Sequence, residues 1–170
     1  MNMHAGLVAL RLDGYWRGAL ILGSSGAGKS DLALRALDAG FRLIADDRVT
    51  VWASGGALWG RAPEPLAGLI EARGCGIVAE PALAFAEIAI AAQCAPPGAP
   101  VERMPDPALV EVAGFALPSV GIDPFEASAP AKLRRALQHL GASPQQGYQA
   151  RSCGGGDRLG RRGYPLRPHR

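Results

Sequence analysis

The pattern of apolar and polar positions divides the chain into short elements. Residues 6–12 alternate enough for a strand, Asp13-Gly14 is a turn signal, and residues 16–22 read as the returning strand of a hairpin. That strand ends in a buried run, Ala19-Leu20-Ile21-Leu22. The spacing then turns helical. A helix is expected from about Ser30 to Ala39, with its apolar side at Leu34 and Leu37 and Gly40 as a left-handed stop. Residues 41–45 form a short buried strand that ends in Asp46-Asp47. Residues 48–53 continue extended, turn at Gly55-Gly56 and return through Ala57-Leu58-Trp59. Pro63, Pro65 and Gly68 mark a loop. Residues 85–93 have strand character, although their alanines leave a helix open. Residues 95–107 are proline-rich and aperiodic, hence loop or partner-contact surface. A second helix is expected over 130–140: Leu133, Leu137 and Leu140 share a face, Pro130 starts it and Gly141 ends it. No internal repeat is present.

Between the strand ending at Leu22 and the first helix lies Gly23-Ser24-Ser25-Gly26-Ala27-Gly28-Lys29-Ser30. It fits the pattern G-x-x-x-x-G-K-[ST] in the strand–loop–helix context that a phosphate-binding loop requires. Glycines let backbone N–H groups wrap phosphates, and the helix N-terminus adds partial positive charge beneath them. Lys29 can reach the β- and γ-phosphates of a nucleotide such as ATP, and the Ser30 hydroxyl can ligate Mg²⁺. The chain has only two lysines, Lys29 and Lys132, and uses arginine elsewhere, which points to a specific need for the ammonium group at Lys29.

Composition bounds the remaining choices. A chain of 170 residues suits one ordinary domain, here taken as residues 1–142. Its formal net charge of +3 is concentrated near the end, where residues 151–170 carry six arginines and one aspartate. Residues 1–150 hold 12 basic and 14 acidic side chains, so no nucleic-acid partner is expected. Residues 143–170 read as a disordered, basic, Gly/Arg-rich tail. No run approaches the ~18 apolar residues of a membrane span. The N-terminus lacks signal-peptide character. Cys75, Cys94 and Cys153 show no paired spacing and read as reduced thiols of a cytoplasmic protein.

Two further clusters bear chemistry. Asp46-Asp47 follows a buried strand beside the glycine loop, the expected place for an Mg²⁺ partner or a base. On extended backbone the two carboxylates would point in opposite directions, one to a metal and one to a nucleophile. Glu71-Ala72-Arg73-Gly74-Cys75-Gly76 suits a loop approaching a charged ligand: Glu71 could complete an Mg²⁺ shell and Arg73 could neutralise a transferring phosphoryl group. By itself this cluster fits a surface loop with a salt bridge equally well. His4, taken alone, reads as an exposed histidine at the start of the first strand.

In order, His4, the glycine loop, Leu43-Ile44-Ala45-Asp46-Asp47 and Leu69-Ile70-Glu71-Ala72-Arg73-Gly74-Cys75-Gly76-Ile77 resemble the catalytic domain of HPr kinase/phosphorylase over roughly residues 3–125. That bacterial family phosphorylates a serine of the phosphocarrier protein HPr. The resemblance implies an α/β fold: a P-loop kinase domain with a mixed central sheet and a phosphate-loop core like that of PEP carboxykinase. It implies ATP and Mg²⁺, with Gly23, Ser24, Ser25, Gly26, Ala27, Gly28, Lys29 and Ser30 on the phosphates and Ser30 with Glu71 on the metal. It assigns Asp47 to the serine proton, supported by His4, and leaves Asp46 and Arg73 in the catalytic group. Arg103 matches a further arginine of the family only loosely. HPr is the implied substrate and a homo-oligomer, a hexamer, the implied assembly.

The chain departs from the family pattern in two ways. It starts almost at His4, as in a short form without the separate N-terminal domain. Where the family carries a Pro-Gly-Arg-Asn-like stretch linked to phosphorolysis, residues 121–127 bring two acids and no base, so the reverse reaction should be weak. The alternatives are a small-molecule kinase or generic NTPase on the same core, and a non-catalytic ATP-sensing regulator. A GTPase is disfavoured, since neither lysine follows an asparagine.

Overall fold

The computed structural model describes residues 1–96 and 98–141. The basic tail expected from residue 143 lies outside the described residues. In chain order the elements are β1 (Asn2–His4), β2 (Gly6–Leu12), β3 (Tyr15–Leu22), α1 (Lys29–Asp38), β4 (Arg42–Ala45), β5 (Arg48–Ser54) and β6 (Ala57–Arg61). A 3₁₀ turn (Glu64–Leu66) precedes β7 (Leu69–Ala72), β8 (Gly76–Ala79), β9 (Ala86–Cys94), β10 (Ala108–Val112), β11 (Phe115–Ile122) and α2 (Ala129–His139).

The expected first hairpin is present. Asp13 (φ 49°) and Gly14 (φ 87°) both take positive φ, the backbone that a tight two-residue turn needs to match strand twist. β9 lies at the centre of the sheet. One edge runs parallel to β3. The other pairs antiparallel with β6 near Ala86 and parallel with β11 from Ala91 onward. A strand covered on both faces needs apolar residues at consecutive positions, and Ile88-Ala89-Ile90-Ala91-Ala92 supplies them. That decides strand over helix for this segment. Its alanines leave room for the end of α2, which comes in on Ala89 so closely that a Cβ at Gly141 would stand 3.1 Å from it.

Strand periodicity splits the interior into two cores. Val8, Leu10, Ala19, Ile21 and Ile90 face the helices α1 and α2. Leu7, Ala9, Leu20 and Ile88 face the opposite side, where the sheet curls over itself and brings Val49, Val51, Leu58 and Leu117 onto them. Gly60 permits that curl, because a Cβ there would fall 2.5 Å from Leu7 Cδ2. The result is a mixed α/β fold built on a curled mixed sheet. No helix among the described residues is long and apolar enough to cross a membrane.

Three expectations need correction. The buried side of α1 is Leu32, Ala33 and Ala36, with Leu34 and Leu37 only half-buried, because the small alanines let the helix settle onto the sheet and onto β7. The Glu71–Gly76 cluster is no loop: it is the turn and flanks of the hairpin β7–β8, whose Ile70 and Val78 side packs beside α1. His4 ends a separate strand, β1, which pairs with β5. The hairpin β10–β11 has little signature in the sequence. Its Ala113-Gly114 turn (φ 50° and 81°) is a weak signal, and Pro118 stands within β11.

Candidate functional site

The glycine loop leaves β3 and enters α1 through residues of unusual backbone. Gly23, Gly26 and Gly28 have φ of 153°, 78° and 90°. Gly28 is restricted twice, since a Cβ there would also meet the Phe125 ring and Pro124 Cγ at 2.9 Å. Lys29 is only 6% exposed. Its Nζ donates to the carbonyls of Gly23 (3.1 Å) and Ser24 (2.8 Å), holding the loop closed over the start of the helix. Cys94 lies at the base of this loop. Burial pushes its thiol up from 9.0 to about 11, against the opposing pull of the Lys29 charge.

Asp46 and Asp47 separate as the chain leaves β4. Asp46 is buried. Its Oδ1 accepts from the Ser30 hydroxyl (2.9 Å) and its Oδ2 from the Glu71 backbone N–H (3.0 Å). It therefore ties the helix start to β7 from a buried position. Asp47 adopts a left-handed conformation (φ 62°), not the extended one expected, and this turn swings its carboxylate outward. There it meets His4 Nε2 at 3.1 Å and Arg48 Nε at 3.5 Å. His4 reaches this place because β1 pairs with β5 in a register that sets His4 opposite Arg48. The histidine that looks solitary along the chain is thus half of a His–Asp pair.

These groups surround one cavity of about 260 Å³. Ser25, Gly26, Gly28, Lys29 and Ser30 line its loop side. His4, Asp47, Glu71, Arg73 and Cys75 line the opposite wall. Asp31, Leu34 and Phe125 line the helix side. Gly23, Ser24 and Ala27 belong to the loop but do not line the cavity, and Asp46 sits behind Ser30. Arg103 is exposed in the 95–107 segment and outside the lining.

Sequence reasoning misses Leu34 and Phe125 as site residues, and it misjudges the segment after β11. The two acids there predict negative charge toward the site. Instead Asp123 Oδ1 accepts the Phe125 N–H at 2.9 Å, and the Glu126 carboxylate is paired with Lys132. The segment's contribution to the cavity is the Phe125 ring. An aromatic residue between a proline and a helix start, with no apolar periodicity around it, is the available signal.

The donor set suits a phosphorylated ligand with a hard cation. Gly28 leaves no room for a side chain at the helix N-terminus. Ser30 directs its hydroxyl hydrogen to Asp46, which leaves oxygen lone pairs for a metal. The Glu71 and Arg73 side chains make no hydrogen bond or ion pair among the described residues, so a carboxylate and a guanidinium stand free at the cavity wall.

Comparison with known proteins adds four findings. The family model described as HPr Serine kinase C-terminal domain matches residues 1–93. The HPr kinase/phosphorylase of Streptococcus thermophilus is 52% identical over 68 residues, 39% of this chain and 22% of that protein. That of Clostridium novyi is 46% identical over 82 residues, 48% of this chain and 25% of the relative. The matched stretch thus spans about a quarter or less of those relatives' length. A solved structure of the Hpr(Ser) kinase/phosphatase from Coxiella burnetii shares the fold with a TM-score of 0.69 at 22% identity, over 89% of this chain and 96% of that one.

Proposed function

The chain belongs to the HPr serine kinase C-terminal domain family, and from that premise we propose that it transfers the γ-phosphoryl group of Mg·ATP to a serine of the phosphocarrier protein HPr. The glycine loop is then a P-loop in a PEP-carboxykinase-like core. The observation that carries this reading is convergence. β1, the glycine loop, the end of β4 and β7–β8 bring His4, Lys29, Ser30, Asp47, Glu71 and Arg73 around one cavity, although up to 69 residues separate them in sequence.

The geometry supports the following roles. Loop N–H groups and Lys29 hold the phosphates, and Lys29 exchanges its carbonyl contacts for phosphate oxygens. Ser30 and Glu71 would hold Mg²⁺, whose charge offsets that of the β- and γ-phosphates. Asp46 fixes both ligands at once, one through the hydroxyl and the other through its backbone. Asp47 accepts the proton of the acceptor serine as its oxygen bonds to phosphorus and the bond to ADP breaks. His4 orients that carboxylate at 3.1 Å. Arg73 meets the charge on the transferring group.

The reverse reaction, attack of inorganic phosphate on phosphoserine, requires a second anion site. Residues 121–127 offer no basic side chain for it, and their contribution to the cavity is apolar, which supports weak phosphorolysis. The test is to incubate the protein with Mg·ATP and HPr and map the modified residue. An acid-stable phosphoserine supports the assignment; no transfer, or acid-labile label, refutes it.

A further inference from the structure

Phe125 is 52% exposed, yet it is held in place. Its N–H is fixed on Asp123, and the carbonyls on either side of it are both gripped by Arg35, through Pro124 and, at 3.1 Å, through Glu126. Arg35 is itself anchored one helical turn back on Asp31, with Nε at 3.0 Å from Oδ2. The backbone that carries this large apolar ring is thereby fixed beside the cavity, with the ring edge against Gly28. Leu34 lines the same side, one turn along α1 from Ser30. An exposed, fixed apolar surface of this kind marks a ligand contact more than a packing residue.

We propose that Phe125 and Leu34 form the seat of the nucleobase, with the ring stacked on the base face. This rests on the reading of the glycine loop as a nucleoside triphosphate site. Phosphates held by the loop place the α-phosphate near the first residues of α1. From there the nucleoside has two directions. One leads to His4, Asp47, Glu71 and Arg73, where the acceptor serine must approach and a flat base would lie among charges. The other leads to Leu34 and Phe125, where it buries apolar surface. The carboxylate that lines the cavity on that side, Asp31, is already paired with Arg35. The base is therefore read by its π face and not by its hydrogen-bonding edge, so adenine and guanine are accepted alike.

Binding to the full chain should be measured by calorimetry for Mg·ATP, Mg·GTP and Mg·tripolyphosphate, in the unsubstituted protein, Phe125→Ala and Phe125→Trp. Phe125→Ala should weaken ATP and GTP by the same factor, roughly 5- to 150-fold, while tripolyphosphate affinity stays unchanged. Phe125→Trp should restore both nucleotides. An equal loss for tripolyphosphate would mean that the ring only props the loop through Gly28, and the proposal fails. Unchanged ATP affinity in Phe125→Ala would place the base elsewhere and overturn the proposal as well. If the unsubstituted chain binds neither ATP nor tripolyphosphate, the loop reading falls and takes this inference with it. The expected binding pattern without transfer to HPr would refute the kinase assignment and leave the base seat standing.

Discussion

Asp47→Asn should abolish most turnover while leaving stability intact. The substitution keeps the shape of the side chain but removes the proposed proton acceptor. Loss of general-base assistance lowers transfer by ~10²–10⁴-fold, or roughly 3–5 kcal/mol of barrier. The folding term is small for two reasons. The contacts to His4 and Arg48 involve side chains that are 38%, 57% and 61% exposed, and such exposed polar pairs are worth about 0–1 kcal/mol. Backbone strain does not increase either. At φ 62° asparagine is as well tolerated as aspartate. The assay is single-turnover transfer from labelled ATP to HPr at saturating Mg·ATP, alongside thermal unfolding. The midpoint should move by less than about 4 °C, the shift that 1 kcal/mol produces in a domain of this size. Transfer reduced by less than tenfold would refute Asp47 as the base. A much larger drop in midpoint would show that its role is structural.

Asp46→Asn should behave in the opposite way: it leaves a buried amide that can satisfy only one of the Ser30 and Glu71 donors as the carboxylate does, so about 1–3 kcal/mol of stability and much of the Mg²⁺ affinity should be lost, as read by denaturant unfolding and metal titration. Lys29→Ala should abolish nucleotide binding and loosen the loop carbonyls of Gly23 and Ser24, and normal turnover in this variant would show that the site is misassigned. The Cys94 thiol is raised from 9.0 to about 11 in the fold, so it holds its proton more tightly than in the unfolded chain; this contribution, about 2–3 kcal/mol, is complete below pH 9 and lost as pH climbs toward 11, and Cys94→Ala should remove that slope from pH-dependent unfolding. At neutral pH a maleimide should label the exposed Cys75 and spare Cys94, and Mg·ATP should slow the labelling because Cys75 lines the cavity; peptide mapping distinguishes the sites.

Features that depend on neighbours along the chain are legible in the residues themselves. The β2–β3 hairpin followed from Asp13-Gly14, the loop from its glycines and Lys29, and α1 and α2 from apolar spacing and their stops. Local propensity, turn chemistry and spacing encode such features, and tertiary packing then stabilises them. The resemblance to known enzymes also named residues, among them His4, Lys29, Ser30, Asp47, Glu71 and Arg73, that line one cavity, without indicating how the fold assembles them. Pairing at a distance is a product of the folded core. The fold set His4 against Asp47 through the β1–β5 register, turned Asp46 inward as a bracket between Ser30 and Glu71, and drew Glu71 and Arg73 onto a hairpin anchored beside α1. It also placed Phe125 on Gly28, an approach of segments nearly 100 residues apart that no periodicity encodes. Strand–strand register and loop-to-loop contact are selected by burial of the whole core, and that information exists only once the sheet has closed on itself.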